Sequence, residues 1–255
     1  MTAAKTILLD FDPITLKDMD AVALMNRTDV KFAFSRERLP EFLKQLTKHY
    51  YVLDVNGHRI SRYESLYFDT IKFDLYFSHH RKKPSRYKIR FRKYVESNLH
   101  FFEVKFKNNK GRTIKDRVKQ QEIDGKIENV AEDLLKEKTP ISVNDLEAKF
   151  WVNYSRITLV NKYAAERVTI DLNLTFKNEE QEKEIDDIVI AEVKQDKEVS
   201  SKFLEIMKHN RIRKVSLSKY CFGVISLYNS LKHNNFKKNL RLIKKTIDVT
   251  ITSAE

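Results

Sequence analysis

The sequence predicts an α+β protein built on a closed antiparallel β-barrel of about eight strands, with a basic interior and helices on its flanks. Two patterns carry this expectation. Strand-length segments recur with Lys and Arg at alternate positions, and Tyr, Ile, Val and Phe stand between them. Apolar residues make up 41%, with sixteen Phe and eleven Tyr, enough to bury a core. The 255 residues suit a single β-domain, expected over 1–231, with a basic tail or packed terminal element over 232–255.

The elements follow from local pattern. Ile14, Leu16, Met19, Val22 and Leu24 suggest a short helix or irregular lead-in. Ser35 reads as an N-cap for an amphipathic helix to His49, with Leu39, Phe42, Leu43 and Leu46 at helical spacing. Strands are expected over 51–55 and 62–69, separated by the Asn56-Gly57 turn, and then over 86–94, 99–107 and 112–119. Helices near 127–137 and 143–148 precede strands over 149–160, 163–175 and 187–195, and helices near 199–209 and 217–232 close the fold.

Lys and Arg number 49 against 36 Asp and Glu, a formal charge of +13, so the partner is expected to be anionic. The single cysteine excludes an internal disulfide framework, and no long apolar run or leader pattern occurs, which points to the cytoplasm. Four glycines, none close to another, exclude a Walker loop or a dinucleotide fingerprint, both of which use clustered glycines to bring backbone amides to phosphate. A phosphate held here is held by side chains.

Alternation assigns those side chains to faces. Arg86, Lys88, Arg90 and Arg92 share one face of a strand, and Glu103, Lys105 and Lys107 share one on the next. Thr113, Lys115, Arg117 and Lys119 follow, with Arg27, Asp29 and Lys31, and Ile190, Glu192 and Lys194, as two further faces. A single charged face is ordinarily the solvated side of a sheet. Repetition of one sign on strand after strand is different, because like charges opposed across strands destabilise pairing unless an anion lies between them. A tunnel enclosing a phosphate chain reconciles the pattern.

Arg27-Thr28-Asp29-Val30-Lys31, Tyr67-Phe68-Asp69-Thr70, Arg86-Tyr87-Lys88-Ile89-Arg90-Phe91-Arg92-Lys93-Tyr94, Phe102-Glu103-Val104-Lys105, Ala191-Glu192-Val193-Lys194 and Ser218-Lys219-Tyr220 occur in that order. Together they resemble the catalytic domain of the vacuolar transporter chaperone (VTC) polyphosphate polymerases, within the CYTH-like triphosphate tunnel metalloenzyme superfamily. The likeness runs from about position 10 to 225.

The resemblance implies a nucleoside triphosphate in the tunnel, transfer of the ATP γ-phosphoryl group to a growing polyphosphate, and a Mn²⁺ or Mg²⁺ ion. Carried onto this chain, it implies catalytic roles for Lys31, Arg90, Arg92, Lys105, Arg156 and Lys219, and phosphate contacts from Lys88, Lys115, Arg117, Arg167 and Lys194. Glu192, with Glu103 beside it, would hold the metal. The eukaryotic polymerases also carry an SPX domain and membrane helices; the sequence shows neither, which implies a free-standing catalytic domain. Where the triphosphatase branch has Glu-x-Glu-x-Lys on its first strand, this chain has Arg27-x-Asp29-x-Lys31, which favours anion holding over two-metal hydrolysis.

A tripolyphosphatase or nucleoside triphosphatase of the same fold stays open, as does a non-catalytic polyphosphate-binding module. Nucleic acid is disfavoured, because the aromatic residues within 86–107 sit on the strand face opposite the cations and cannot stack bases beside them. His79 and His80 are expected in a loop, Cys221 as a buried inert thiol, and Phe150, Trp151 and Tyr154 as wall packing.

Overall fold

A computed structural model describes residues 2–20, 27–196, 200–216 and 218–251; Val22, Leu24, Val199 and Leu217, named in the expectations above, lie outside them. Eleven strands run in chain order as β1 Pro13–Ile14, β2 Arg27–Ser35, β3 Tyr50–Leu53, β4 Ser61–Asp69, β5 Arg86–Tyr94, β6 Leu99–Lys107, β7 Thr113–Gln120, β8 Glu147–Asn161, β9 Glu166–Lys177, β10 Glu182–Ile185 and β11 Ile188–Asp196. Among the described residues eight α-helices accompany them: α1 Thr2–Leu8, α2 Leu16–Asp20, α3 Leu39–Leu46, α4 Asp74–His80, α5 Val130–Lys138, α6 Lys202–His209, α7 Lys219–Leu227 and α8 Lys237–Ile251.

All strands belong to one sheet with the spatial order β2-β11-β9-β8-β4-β5-β6-β7, and the ladders along this path are antiparallel. The expected closed barrel of about eight strands is therefore corrected: β2 and β7 end the path and share no ladder. The outer edge of β2 is already taken. Val215 donates its N–H to the Lys31 carbonyl at 2.9 Å, Lys214 bridges to Phe32, and α8 packs on the strand.

The sheet is nevertheless strongly curled. Laid flat, β2 and β6 would stand about 29 Å apart at ordinary strand spacing. Lys31 on β2 and Glu192 on β11 still act electrostatically on Lys105 of β6. Such coupling needs the two ends of the sheet to face each other across a short gap.

The convex side is apolar. Phe32, Phe34, Ile157, Leu159, Val168, Ile170 and Val193 pack beneath α1, α3 and α6, while Phe91, Phe102 and Val104 pack beneath Ala131 and Leu135 of α5. The concave side divides in two. One part is an aromatic floor of Tyr67, Phe150, Tyr154 and Phe176, covered by Tyr220, Phe222 and Val224 of α7. Cations line the remainder.

Two local features position these surfaces. Asn173, at φ 51°, forms a bulge that reverses the parity of β9. Before it Arg167, Thr169 and Asp171 line up with the groove residues of β8 and β11; after it Leu174 and Phe176 join the floor. Asp69, fully buried at the end of β4, accepts hydrogen bonds from the N–H groups of Thr70 (2.8 Å), Leu75 (2.8 Å) and Tyr76 (3.0 Å), and from the Tyr220 hydroxyl. It caps α4 and ties α7 to the sheet with one side chain. The adjacent His79 and His80 lie on α4, not in a loop, and 143–148 holds only a 3₁₀ turn at Val143–Asp145 before β8 begins.

Candidate functional site on the concave face

The register brings the alternating cations onto one curved wall. Arg90 opposes Glu103 on β6 and Tyr67 on β4, Arg92 opposes Ser65, and Lys88 opposes Lys105, which in turn opposes Lys115 on β7. On the other side Glu192 pairs in register with Lys31 and Thr169, Lys194 with Asp29 and Arg167, and Arg156 with Asp171. The residues expected to contact phosphate or metal stand at strand positions of this face, with Lys219 contributed by the first turn of α7.

Some of these cations are balanced internally. Glu103, 1% exposed, accepts from Arg90 Nε (2.7 Å) and Nη2 (2.5 Å), and its other oxygen meets Lys115 Nζ at 2.5 Å. Burial alone would raise the Glu103 carboxyl, but Arg90, Arg92 and Lys115 hold it far below the usual carboxylate range. Asp171 forms a bidentate pair with Arg156 (2.6 and 2.9 Å) and also receives Lys219. Its carboxyl is likewise held low, burial being outweighed by Arg156 and Lys219. Glu192 lies 2.6 Å from Lys194 and 3.9 Å from Lys31, and these two amines overcome its burial to keep it ionised.

Others have no carboxylate. Arg92, 7% exposed, bonds Ser65 Oγ at 3.1 Å and lies over the rings of Tyr63 and Tyr154; among the described residues it forms no ion pair. Lys88 and Lys105 are in the same position. Partial desolvation in the groove, reinforced by Lys31 and Arg90, lowers Lys88 to about 8 and Lys105 to about 7, although the Lys105 side chain stays exposed at the groove mouth. With Arg86, Lys107, His79 and Thr113 they line a pocket of about 110 Å³ at one end of the groove. Enclosed charges of one sign without counter-ions are unfavourable in isolation, and an anion would offset them.

Two further polar side chains lie beside these cations: Tyr154, expected from the sequence only as wall packing, under Arg92, Arg156 and Lys219, and Thr169, not singled out by sequence, in register with Glu192. Tyr154 Oη and Thr169 Oγ1 are buried without a hydrogen-bond partner among the described residues. Burial pushes the Tyr154 phenol up to about 12, so it stays a proton donor. Tyr67 accepts from Arg90 Nη1 at 2.7 Å, and Arg90 and Arg92 lower its phenol despite burial. The only signal in the sequence was the even parity Tyr154 shares with Arg156, which the wall-packing reading of the aromatic ring obscured.

A divalent ion such as Mg²⁺ or Mn²⁺ calls for hard oxygen donors. Among the described residues no three or more His, Cys, Asp or Glu converge as ligands. Glu103 is committed to Arg90 and Lys115, whereas Glu192 is ionised and partly exposed, so it can offer one hard oxygen. One protein carboxylate fits Mg²⁺ or Mn²⁺ when phosphate oxygens and water complete the shell.

Solved structures share this architecture. A candidate adenylate cyclase from Bacillus halodurans superposes with a TM-score of 0.50 at 16% identity, over 80% of this chain and 100% of its own. A candidate adenylyl cyclase from Hippeastrum, described as having a dominant triphosphatase activity, gives 0.50 at 13% identity, over 79% and 96%. None of the curated proteins matches the chain. The VTC domain family matches residues 26–228, a span that contains every cation of the concave face and supports an activity on triphosphate or polyphosphate. This chain belongs to the VTC domain family.

Proposed function

We propose that the concave face is the active site of a polyphosphate polymerase, which transfers the γ-phosphoryl group of ATP to the end of a polyphosphate chain. The observation that carries this reading is the presence of buried Arg92 with Lys88 and Lys105 on one wall of the groove, none of them in an ion pair with a carboxylate among the described residues. A string of phosphates supplies the missing negative charge at several points along the wall.

Phosphoryl transfer relies on alignment and charge stabilisation, with no covalent step required of the protein. Arg92, Arg90 and Arg156 hold the donor phosphates, Tyr154 donates its hydroxyl proton to a phosphate oxygen, and Lys31 and Lys219 approach from the opposite wall. Glu103 and Asp171 keep the neighbouring arginines and lysines in fixed orientations. A divalent ion held through Glu192 would neutralise charge on the phosphates. The acceptor phosphate is already an anion, so no general base is needed; a water nucleophile would benefit from one, and the carboxylates on this wall are each paired with cations.

The test is incubation of the protein with ATP and Mn²⁺ or Mg²⁺, with gel analysis for long chains and an orthophosphate assay. Long-chain phosphate is expected, and Arg92→Gln should lower its formation by about 100-fold, the loss typical of one preorganised charge donor. Orthophosphate as the sole product would replace the polymerase by the hydrolase of the same fold.

A further inference from the structure

We infer that the exposed face of α8 is a docking track for the outlying part of a long polyphosphate chain whose end lies on the concave face. The inference rests on the phosphate reading of that face. Helix α8 carries Lys237, Lys238, Arg241, Lys244 and Lys245, separated by one, three, three and one residues, which places all five on one side of a 3.6-residue helix. All five are exposed, and among the described residues none forms an ion pair. The stripe is about 12 Å long at the helical rise.

Its position joins it to the groove. Asn239 Nδ2 donates to the Ser216 carbonyl at 2.9 Å, and the neighbouring Val215 N–H donates to the carbonyl of Lys31 at 2.9 Å. Exposed Arg213 and Lys214 immediately precede Val215, Lys214 bridging to Phe32 on the same edge of β2. A chain leaving the wall at Lys31 therefore meets cations over the edge of β2 and then along α8. This track lies beyond the matched residues 26–228 and is a feature of this chain outside the family match.

The chemistry selects a flexible polyanion over other anionic partners. A basic amphipathic helix can lie on an acidic membrane when its apolar face is free to insert. Here Ile243 is 5% exposed and Leu240 and Leu242 pack on the same core as Ala33 and Ile190, so that face is occupied. Single-stranded nucleic acid would use aromatic rings beside the cations, and residues 237–245 contain none.

The experiment compares binding of tripolyphosphate and long-chain polyphosphate to the wild type and to K237Q/K238Q/R241Q/K244Q/K245Q, with K44Q/K48Q on the convex side as control. Glutamine preserves helix propensity at exposed positions, and retained tripolyphosphate affinity reports an intact fold. The wild type should bind the long chain more tightly than tripolyphosphate, and the five-fold variant should lose about tenfold or more of that advantage at low salt, with tripolyphosphate affinity and the control unchanged. A long-chain advantage that is absent, or that survives in the variant, overturns the inference. So does stripe-dependent binding of phosphatidylserine vesicles or single-stranded RNA that exceeds the stripe-dependent binding of polyphosphate. If tripolyphosphate fails to bind the wild type, it is the reading of the groove that fails; if it binds and only the advantage is missing, the track alone fails.

Discussion

The clustered amines of Lys88 and Lys105, opposed in register on β5 and β6, make the site responsive to pH. With values near 8 and 7 in the ligand-free protein, both lose protons across the neutral range, whereas the unfolded chain keeps them protonated to about 10. Between these limits the unfolded state binds more protons, so the stability of the ligand-free protein should rise as pH increases from about 7 towards 10. A bound phosphate chain favours the ammonium forms. Binding should therefore take up protons near pH 7.5 and weaken as pH climbs past about 8. Calorimetry in buffers of different ionisation enthalpy measures the uptake, and Lys105→Arg, which stays charged, should reduce it. An unchanged uptake would mean that the proton is bound elsewhere.

Residues of this kind were legible in the sequence because Lys and Arg alternate over whole strands. Asp171 and Tyr154 were not. Asp171 is an isolated carboxylate between apolar neighbours, and its role as the anchor of Arg156 and Lys219 depends on which strands lie side by side. Tyr154 has a ring that packs on Tyr63 and a buried hydroxyl with no partner among the described residues, so composition alone assigns it to the wall.

Among the elements, α7 decides how much of the groove is open. Its Gly223 lies against the floor so closely that an added methyl would collide with the ring of Phe150 and approach Phe176 to 2.9 Å. Overpacking of a buried contact of this kind typically costs about 1–3 kcal/mol. Gly223→Ala should lower the thermal midpoint by that equivalent and reduce turnover more than stability, because lifting α7 also displaces Lys219 at its first turn and the Tyr220–Asp69 bond. Thermal melts alongside turnover assays check both; equal losses would mean that α7 is only a cover. Strand faces were readable by two-residue alternation except at the two register shifts, where one extra residue reverses β9 at Asn173 and another on β8 shifts its pairing with β4 between Tyr67 and Phe68. Helix α4 was hidden because it begins after Phe73 at φ 58°, a conformation that a bulky residue rarely adopts and no propensity rule anticipates.

For the whole molecule, alternation specified what faces the groove but not whether the sheet closes. Closure depends on strand number, tilt and register, and here the outer edge of β2 is engaged by residues 214–215. The result is a curled, open sheet with an apolar back under helices and a cationic front. Among the described residues no helix is long and apolar enough to cross a membrane. A second hollow, about 530 Å³ between His49, Asn161, Tyr163 and Glu205, lies away from the cationic wall and offers a mixed lining of no single charge. The structure of the protein crystallised with a non-hydrolysable ATP analogue separates these surfaces directly. Triphosphate density is expected on the concave face, within hydrogen-bond reach of Arg90, Arg92, Arg156 and Tyr154; triphosphate density in the His49–Glu205 hollow, with the cationic wall filled only by solvent, would contradict the assignment of that wall as the phosphate site.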